Sequence, residues 1–150
     1  MTKDVALIVG GGPGISASCA RLFAKSGMHV GIAARTPDKP VLQNLEKMHG
    51  VRRYACDASE PAAVELLFQN VVRELGAPTL VVHNIDGRVA GIFRKGIAEA
   101  DPGMALETLR GSAFSAFLVG QQAARLMLEN EPSANGTKGT IIFTNASAAL

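Results

Sequence analysis

The chain has 150 residues, of which 47% are hydrophobic and 19% are charged, and its formal net charge is +2. This composition is typical of a globular domain that buries a core, and it excludes a disordered chain. The balanced charge, without a run of five like charges, argues against nucleic-acid and membrane partners. Two cysteines are too few for a disulfide framework, and no apolar stretch at the N-terminus is long enough for a signal peptide, so we expect a cytoplasmic protein.

Short apolar runs alternate along the chain with longer segments of helical periodicity. In chain order the pattern predicts strand 5–9, helix 15–26, strand 28–34, helix 37–50, strand 51–55, helix 61–75, strand 79–83, a loop over 84–103, helix 104–129 and strand 140–144. We expect the first helix to turn Ile15, Cys19, Leu22 and Phe23 inward. The last helix is apolar almost all round its middle, so we expect neighbours to cover it on several sides.

The alternation of strands and helices indicates βαβ units and therefore a parallel sheet. The strands are apolar without a polar face, as expected where helices cover both faces of a sheet. We therefore predict an α/β fold: a doubly wound parallel sheet of the Rossmann type, in three αβα layers. No internal repeat or linker marks a second domain, so residues 1–150 are expected to form one domain.

The stretch "IVGGGPGIS" (residues 8–16) places four glycines in five positions between the first strand and the first helix. Glycine is costly inside regular elements, so a feature of this turn must require the missing side chains. A helix N-terminus offers free N–H groups and a partial positive charge, and glycine lets a phosphate approach the backbone. The stretch therefore predicts a dinucleotide pyrophosphate site, and a tight turn without a ligand is the alternative.

Two registers of a glycine fingerprint fit this turn, and later motifs decide between them. Gly12, Gly14 and Ala17 fit the pattern GxGxxA. Gly10, Gly14 and Ser16 fit GxxxGxG, with serine in place of the last glycine.

Further along, "CDAS" contains Asp57 after the third strand, "VVHNIDG" contains Asn84 after the fourth, and "GTIIFTNAS" covers the fifth. In this order the motifs resemble those of the short-chain dehydrogenase/reductase family, which has TGxxxGIG at the first turn, NNAG after the fourth strand and a catalytic serine after the fifth. The resemblance covers essentially the whole chain. It implies an NAD(P)-dependent oxidoreductase acting on a small carbonyl or alcohol substrate, and a homodimer or homotetramer. It also implies that the cofactor's phosphates bind at Gly10, Gly12, Gly14 and Ile15.

The end of the second strand bears on the choice of cofactor. NAD sites place an acid there to hold the ribose hydroxyls, but this chain has Ala33 and Ala34, followed by Arg35. Because a guanidinium binds phosphate in a bidentate manner, NADP(H) is favoured over NAD(H). The alternative is that Arg35 is a solvated side chain at a strand end. By resemblance, Asp57 would bind the adenine amino group and Asn84 would support the adenosine ribose side.

The family performs its chemistry with asparagine, serine, tyrosine and lysine. Alignment of the long helix places Ser112 at the asparagine position. Alignment of the fifth strand places Ala146 at the serine position, with Ser147 one residue later. Ser112 and Ser147 are therefore the candidate catalytic residues. The tyrosine and lysine of the family's YxxxK motif would lie beyond Leu150, and Tyr54, the one tyrosine present, belongs to the third strand.

Two explanations of the missing YxxxK motif remain open. The sequence is either part of a longer polypeptide that supplies the motif, or a short nucleotide-binding protein without catalytic activity. A sheet that ended at the fifth strand would expose Ile141, Ile142 and Phe143 along an unpaired edge, which favours the longer polypeptide.

The segment after the fourth strand departs from NNAG, because Ile85 and Asp86 replace its alanine and glycine. An acid near phosphates is unfavourable unless it is paired, and Arg88 is the expected partner. His83 is expected to be a buried, hydrogen-bonded side chain, and a catalytic role at the end of the fourth strand is the alternative. No two histidines have the spacing of metal ligands, so we expect no metal site.

Overall fold

Five parallel strands form one sheet in the computed structural model, which describes residues 4–94 and 96–145. The strands are β1 (Val5–Val9), β2 (His29–Ala34), β3 (Val51–Ala55), β4 (Leu80–His83) and β5 (Thr140–Phe143). The helices are α1 (Ile15–Lys25), α2 (Pro40–Glu46), α3 (Pro61–Glu74), α4 (Pro102–Leu109) and α5 (Ser115–Leu128). A 3-10 turn lies at Ile92–Arg94 and a π-helical turn at Arg110–Phe114. No helix within the described residues combines the length and apolar character needed to cross a membrane.

The strands lie in the order β3-β2-β1-β4-β5, with every neighbouring pair parallel. The chain winds outward from β1 to β3 on one side, then returns to β4 on the other side of β1. In such sheets, ligands bind outside the carboxyl ends of the strands where the winding reverses, here between β1 and β4. The predicted doubly wound α/β architecture is confirmed.

Each face of the sheet has its own hydrophobic core. One core contains side chains of α3 and α5, and the other contains side chains of α1 and α2. The central strand β1 supplies both cores, because successive side chains point to opposite faces: Leu7 and Val9 belong to the first core, Ala6 and Ile8 to the second. All residues of β1 are buried, which explains why its sequence shows no polar alternation.

The prediction for the inward face of α1 is correct for Cys19 and Phe23, which pack against the core, and wrong for Ile15 and Leu22. Ile15 and Leu22 are 57% and 61% exposed, and the buried residues of the helix are Ser16, Ala17 and Ala20. These small side chains let the helix approach the strands closely. Periodicity predicts that large apolar side chains make this contact. The close approach of the helix to the strands instead requires small side chains.

The predicted long helix is present as a continuous helical segment, with the π-helical turn joining α4 to α5. The segment begins two residues earlier than predicted, where the Asp101 carboxylate accepts a hydrogen bond from the Met104 amide at 2.9 Å. The expectation that its middle is covered on several sides is not met within the described chain. Phe114 and Phe117 are 41% and 57% exposed.

Among the described strands, β5 pairs with β4 alone. Ile142 and Phe143 are 43% and 50% exposed, whereas Ile141 packs partly against the core. The described sheet therefore has the apolar edge that the sequence led us to expect.

A buried hydrogen bond joins the end of β4 to the start of α5. His83 is 4% exposed and Ser115 is fully buried, and the distance from His83 Nε2 to Ser115 Oγ is 2.9 Å. The Ser115 hydroxyl also lies 2.7 Å from the Gly111 carbonyl, which can only accept. The hydroxyl therefore donates to the carbonyl, and His83 donates to the hydroxyl. This confirms the buried, hydrogen-bonded histidine predicted from the sequence.

Burial lowers the pKa of His83 from its ordinary value of 6.5. An unfolded chain takes up a proton at His83 below about pH 6.5, whereas the folded chain resists protonation until a lower pH. The free energy of unfolding should therefore fall as the pH is lowered from about 6.5, above the range in which carboxylates titrate. Denaturant titrations at several pH values would measure this slope. His83→Gln should flatten it, and an unchanged slope in the variant would contradict the assignment.

Candidate functional site

A cleft of about 690 Å³ lies at the carboxyl ends of the strands, on the side predicted by the winding of the sheet. Four of the predicted cofactor residues line it: Gly10, Arg35, Asp57 and Asn84. The other three occupy the turn that leads from this cleft into α1: Gly12, Gly14 and Ile15. The structure thus brings the predicted residues to one edge of the sheet.

Gly10 packs directly against the end of β4. It has a φ of +107°, and a Cβ at this position would lie 2.0 Å from the carbonyl oxygen of Asn84. The amides of Gly10 and Gly11 both donate to the Ala33 carbonyl, at 2.9 and 2.8 Å. Any side chain at Gly10 would separate β1 from β4, so this glycine is required by the fold itself.

Gly12 and Gly14 serve a different purpose. A Cβ at either position would meet no atom within 4 Å, so the fold leaves open space there. Gly14 is the N-cap of α1 and provides no side-chain cap, and the first turn of the helix contains no acid. The first N–H groups of α1 therefore face an open surface, and their partial positive charge attracts anions. This bare backbone fits a pyrophosphate group.

Two cations lie beside the glycine turn. Arg35 follows β2, is exposed, and forms neither an ion pair nor a side-chain hydrogen bond with any residue that the structure describes. The Lys39 ammonium donates to the carbonyl of Gly11 at 3.4 Å and also lines the cleft. Sequence reasoning missed Lys39. Lys39 directly precedes Pro40, the first residue of α2. This position in the sequence could have indicated that its side chain lies at the same edge of the sheet as Arg35.

Asp57 follows β3 and is half-buried. Its Oδ1 accepts hydrogen bonds from the Ser59 hydroxyl at 2.7 Å and from the Ser59 amide at 3.0 Å. These bonds, helped by the positive charges of Arg35 and Arg110, hold the pKa of Asp57 below its ordinary value. Asp57 is therefore an ionised acceptor at neutral pH. Arg110, in the π-helical turn, forms an ion pair with Glu60 at the start of α3.

The acid after β4 is paired as predicted. Asp86 accepts a hydrogen bond from Arg88 Nε at 2.6 Å, and a second oxygen contacts the Arg88 NH2 group. This pairing lowers the pKa of Asp86. Both residues line the cleft, so the negative charge of Asp86 is balanced there by the positive charge of Arg88.

A glycine contact that the sequence did not reveal holds the π-helical turn. A Cβ at Gly87 would lie 2.3 Å from the carbonyl carbon of Gly111. We compared Asp86 with the glycine of the family's NNAG motif, but the structure places the close backbone contact one residue later. The π-helical turn, a local form that is frequent at functional sites, is thereby pinned against the loop that follows β4.

Both polar groups of the Asn84 side-chain amide form hydrogen bonds within the protein. Its Nδ2 donates to the Ser16 hydroxyl at 2.8 Å, and its Oδ1 accepts from the Thr144 hydroxyl at 2.8 Å. The Ser16 hydroxyl in turn donates to the Gly10 carbonyl at 2.7 Å. Sequence reasoning assigned Asn84 to the cofactor and missed its partners Ser16 and Thr144.

The candidate catalytic residues are only partly described. Ser112 lies in the π-helical turn, and its hydroxyl donates to the carbonyl of Thr108. Ser147 and Ala146 lie outside the described residues. Tyr54 donates to Glu74 at 3.1 Å, and burial raises its pKa, so it is unsuited to proton transfer. Within the described residues, no group of histidine, cysteine and acidic side chains could hold a metal ion.

Comparisons with known proteins extend this description. A family model described as Enoyl-(Acyl carrier protein) reductase matches residues 10–150. (+)-Borneol dehydrogenase 1 from Salvia officinalis is 31% identical to this chain, over 93% of this chain and 51% of the dehydrogenase. The present chain thus spans about half the length of this curated relative.

Two solved structures share the architecture. A short-chain dehydrogenase/reductase from Serratia marcescens has a TM-score of 0.80 at 24% identity, over 99% of this chain and 58% of that chain. A variant of the actinorhodin polyketide ketoreductase, solved with NADPH, has a TM-score of 0.79 at 27% identity, over 94% of this chain and 52% of that chain. Together with the family match, the glycine turn and the strand order, these similarities show that the chain belongs to the short-chain dehydrogenase/reductase family of oxidoreductases.

Proposed function

We propose that the protein is an NADP(H)-dependent oxidoreductase that interconverts a carbonyl and an alcohol on a small substrate. The observation that carries this proposal is the glycine turn, which leaves the N-terminus of α1 bare at Gly12 and Gly14 beside a cleft at the carboxyl ends of β1 and β4. NADP(H), when bound, supplies or accepts a hydride. The two free cysteines, Cys19 and Cys56, support a reducing location, which we take to be the cytoplasm.

Each cofactor residue has a distinct proposed role. The backbone N–H groups around Gly12, Gly14 and Ile15 would hold the pyrophosphate, while Gly10 keeps the turn against β4. Asp57, held as an anion by Ser59, would accept a hydrogen bond from the adenine amino group. Asn84 would support the adenosine ribose side by its position, because both ends of its amide already bind protein groups.

The preference for NADP(H) rests on charge. The end of β2 carries no acid, and the Arg35 guanidinium is unpaired among the described residues. Lys39 adds a second cation at the same edge of the cleft. A 2′-phosphate would meet two positive groups and no negative one from β2, whereas the free hydroxyl of NAD(H) would find no acceptor there.

The residues for proton transfer are only partly present in this sequence. Ser112 and Ser147 stand at or next to the family's asparagine and serine positions. We propose that a tyrosine and a lysine outside the printed sequence complete the set, which the half-length match to the relatives and the exposed apolar residues of β5 support. The second candidate function is a nucleotide-binding module without catalysis. It is favoured by the Ser112 hydroxyl, which is already engaged with the Thr108 carbonyl.

Binding and turnover separate these functions. Mixed with NADPH and a panel of ketones and aldehydes, the complete polypeptide, including the proposed tyrosine and lysine, should oxidise NADPH, as measured by the loss of nicotinamide absorbance. Gly12→Ala should weaken NADPH binding roughly ten- to a hundredfold, because a Cβ would displace the phosphate from charge-assisted backbone bonds. Its melting temperature should not fall, since the space is open. Binding without turnover would favour the module, and no binding would contradict both functions.

Arg35→Ala should weaken NADPH binding by roughly ten- to a hundredfold, since each charge-assisted hydrogen bond contributes about 1.5–3 kcal/mol. NADH binding should change little. The double variant Ala34→Asp with Arg35→Ala should reverse the preference, because the new carboxylate accepts the ribose hydroxyls and repels the phosphate. Titration by nicotinamide fluorescence would measure each affinity. Arg125→Ala, an exposed arginine on α5, is the control, and equal losses for NADH and NADPH would contradict the assignment.

The exposed apolar side chains of the helical segment support a homodimer or homotetramer. Leu106, Leu109, Phe114 and Phe117 are between 41% and 65% exposed, and the two phenylalanine rings stack with centroids 6.4 Å apart. Apolar clusters of this kind mark interaction surfaces. We propose that a second copy of the chain covers them.

Phe117→Glu should convert the oligomer to monomers, because an exposed phenylalanine would be replaced by a charge that a buried interface cannot solvate. Sedimentation velocity would measure the change in mass. Leu66→Glu alters an equally exposed leucine on α3 and should leave the assembly intact. A wild-type protein that is monomeric at all concentrations would overturn the proposal.

A further inference from the structure

Three side chains connect the carboxyl ends of three neighbouring strands. Thr144, directly after β5, donates to Asn84 Oδ1 at 2.8 Å, and Asn84, directly after β4, donates to Ser16 Oγ at 2.8 Å. Ser16 then donates to the carbonyl of Gly10, directly after β1, at 2.7 Å. Every donor points the same way, from β5 towards the glycine turn. Hydrogen bonds arranged head to tail in this manner polarise and strengthen one another.

The position of this relay distinguishes it from the cofactor-binding residues. Asn84 and Gly10 line the cleft, but neither Ser16 nor Thr144 is among the described residues that do so. Ser16 is 1% exposed and lies on the buried face of α1. Any effect of the two hydroxyls on a molecule in the cleft must therefore pass through Asn84 and the glycine turn.

The position of Ser16 in the glycine motif is also informative. In the GxxxGxG register, Ser16 takes the place of the last glycine. This chain therefore has a side chain at a position where the family's motif has glycine. The structure accommodates it by giving its hydroxyl one donor and one acceptor. A residue that merely filled space at this buried contact would not need a polar group, and an unbonded hydroxyl there would be costly.

We propose that Ser16, Asn84 and Thr144 form a positioning relay that couples the shape of the glycine turn to the end of β5. The relay rests on the proposed function, since it presumes that the glycine turn binds NADP(H). Ser16 fixes the Gly10 carbonyl and thereby the shape of the glycine turn, and Thr144 fixes the point at which the chain leaves β5. Coupling between two sites is reciprocal, so whatever strengthens one end of the relay strengthens the other.

The test is the affinity for NADPH of variants at the end remote from the cofactor. Thr144→Val keeps the shape of the side chain but removes the donor, and should weaken NADPH binding by about three- to tenfold, the effect of one hydrogen bond. Thr144→Ser restores the hydroxyl and should recover the wild-type affinity. Thr140→Val alters the same residue type at the exposed start of β5 and should have no effect.

A double-variant cycle tests the coupling itself. Ser16→Ala should weaken binding by a similar factor, and Ser16→Ala combined with Thr144→Val should lose no more than the larger single effect, because one continuous relay is broken only once. Losses that multiply would overturn the coupling, as would equal affinities of Thr144→Val and wild type. If Thr144→Val fails to fold, Ser16→Ala and Thr144→Ser still decide: wild-type affinity in Ser16→Ala overturns the relay. A wild-type protein that binds no NADPH instead overturns the proposed function.

Discussion

The approach of Gly10 to the carbonyl of Asn84 is the constraint on which the rest of the cleft depends. The chain reverses its winding between β1 and β4, so the segments that leave these strands diverge to opposite faces of the sheet. A glycine at φ +107° lets the first segment turn away while its backbone stays against the second. Because the turn then lies directly over the sheet edge, the N-terminus of α1 opens at the cleft.

The two residues at the end of β4 organise opposite faces of the sheet. Val81 and Val82 belong to different cores, and the same alternation sends His83 towards α5 and Asn84 towards α1. His83 holds the start of α5 through Ser115, and the contact between Gly87 and Gly111 holds the π-helical turn just before it. One short strand end thus fixes both the glycine turn and the helix that carries Ser112.

The sequence was sufficient to predict the architecture because the relevant signals are local. Strand length, helical periodicity and a glycine-rich turn each report on a few neighbouring residues, and their order determines a doubly wound sheet. The site was predicted less completely. Because Gly10, Arg35, Asp57 and Asn84 each follow a strand, the sequence placed them at one edge of the sheet. Contacts with residues from distant segments, such as Thr144 with Asn84 and Lys39 with Gly11, could be found only from the fold.

The error in α1 has the same origin. Periodicity ranks faces by the hydrophobic area of their side chains, whereas the contact of α1 with the sheet is decided by how closely the backbones approach. Ser16, Ala17 and Ala20 are buried because they are small, and Ser16 is tolerated because the fold supplies its hydrogen-bond partners. A polar residue on a buried face was thus a signal of a specific interaction, although the partner could not be read from the sequence.

The charges around the cleft follow a pattern that explains how it can favour an anion despite its acids. Asp86 pairs with Arg88, and Arg110 pairs with both Glu60 and Glu107. Asp57 remains ionised, with the positive charges of Arg35 and Arg110 nearby. Each ion pair contributes little potential at a distance, because opposite charges within a few ångströms cancel at longer range. At the glycine turn, the open N-terminus of α1, Arg35 and Lys39 contribute positive potential. The phosphorylated cofactor proposed above, lying from α1 to the end of β2, would meet this positive potential.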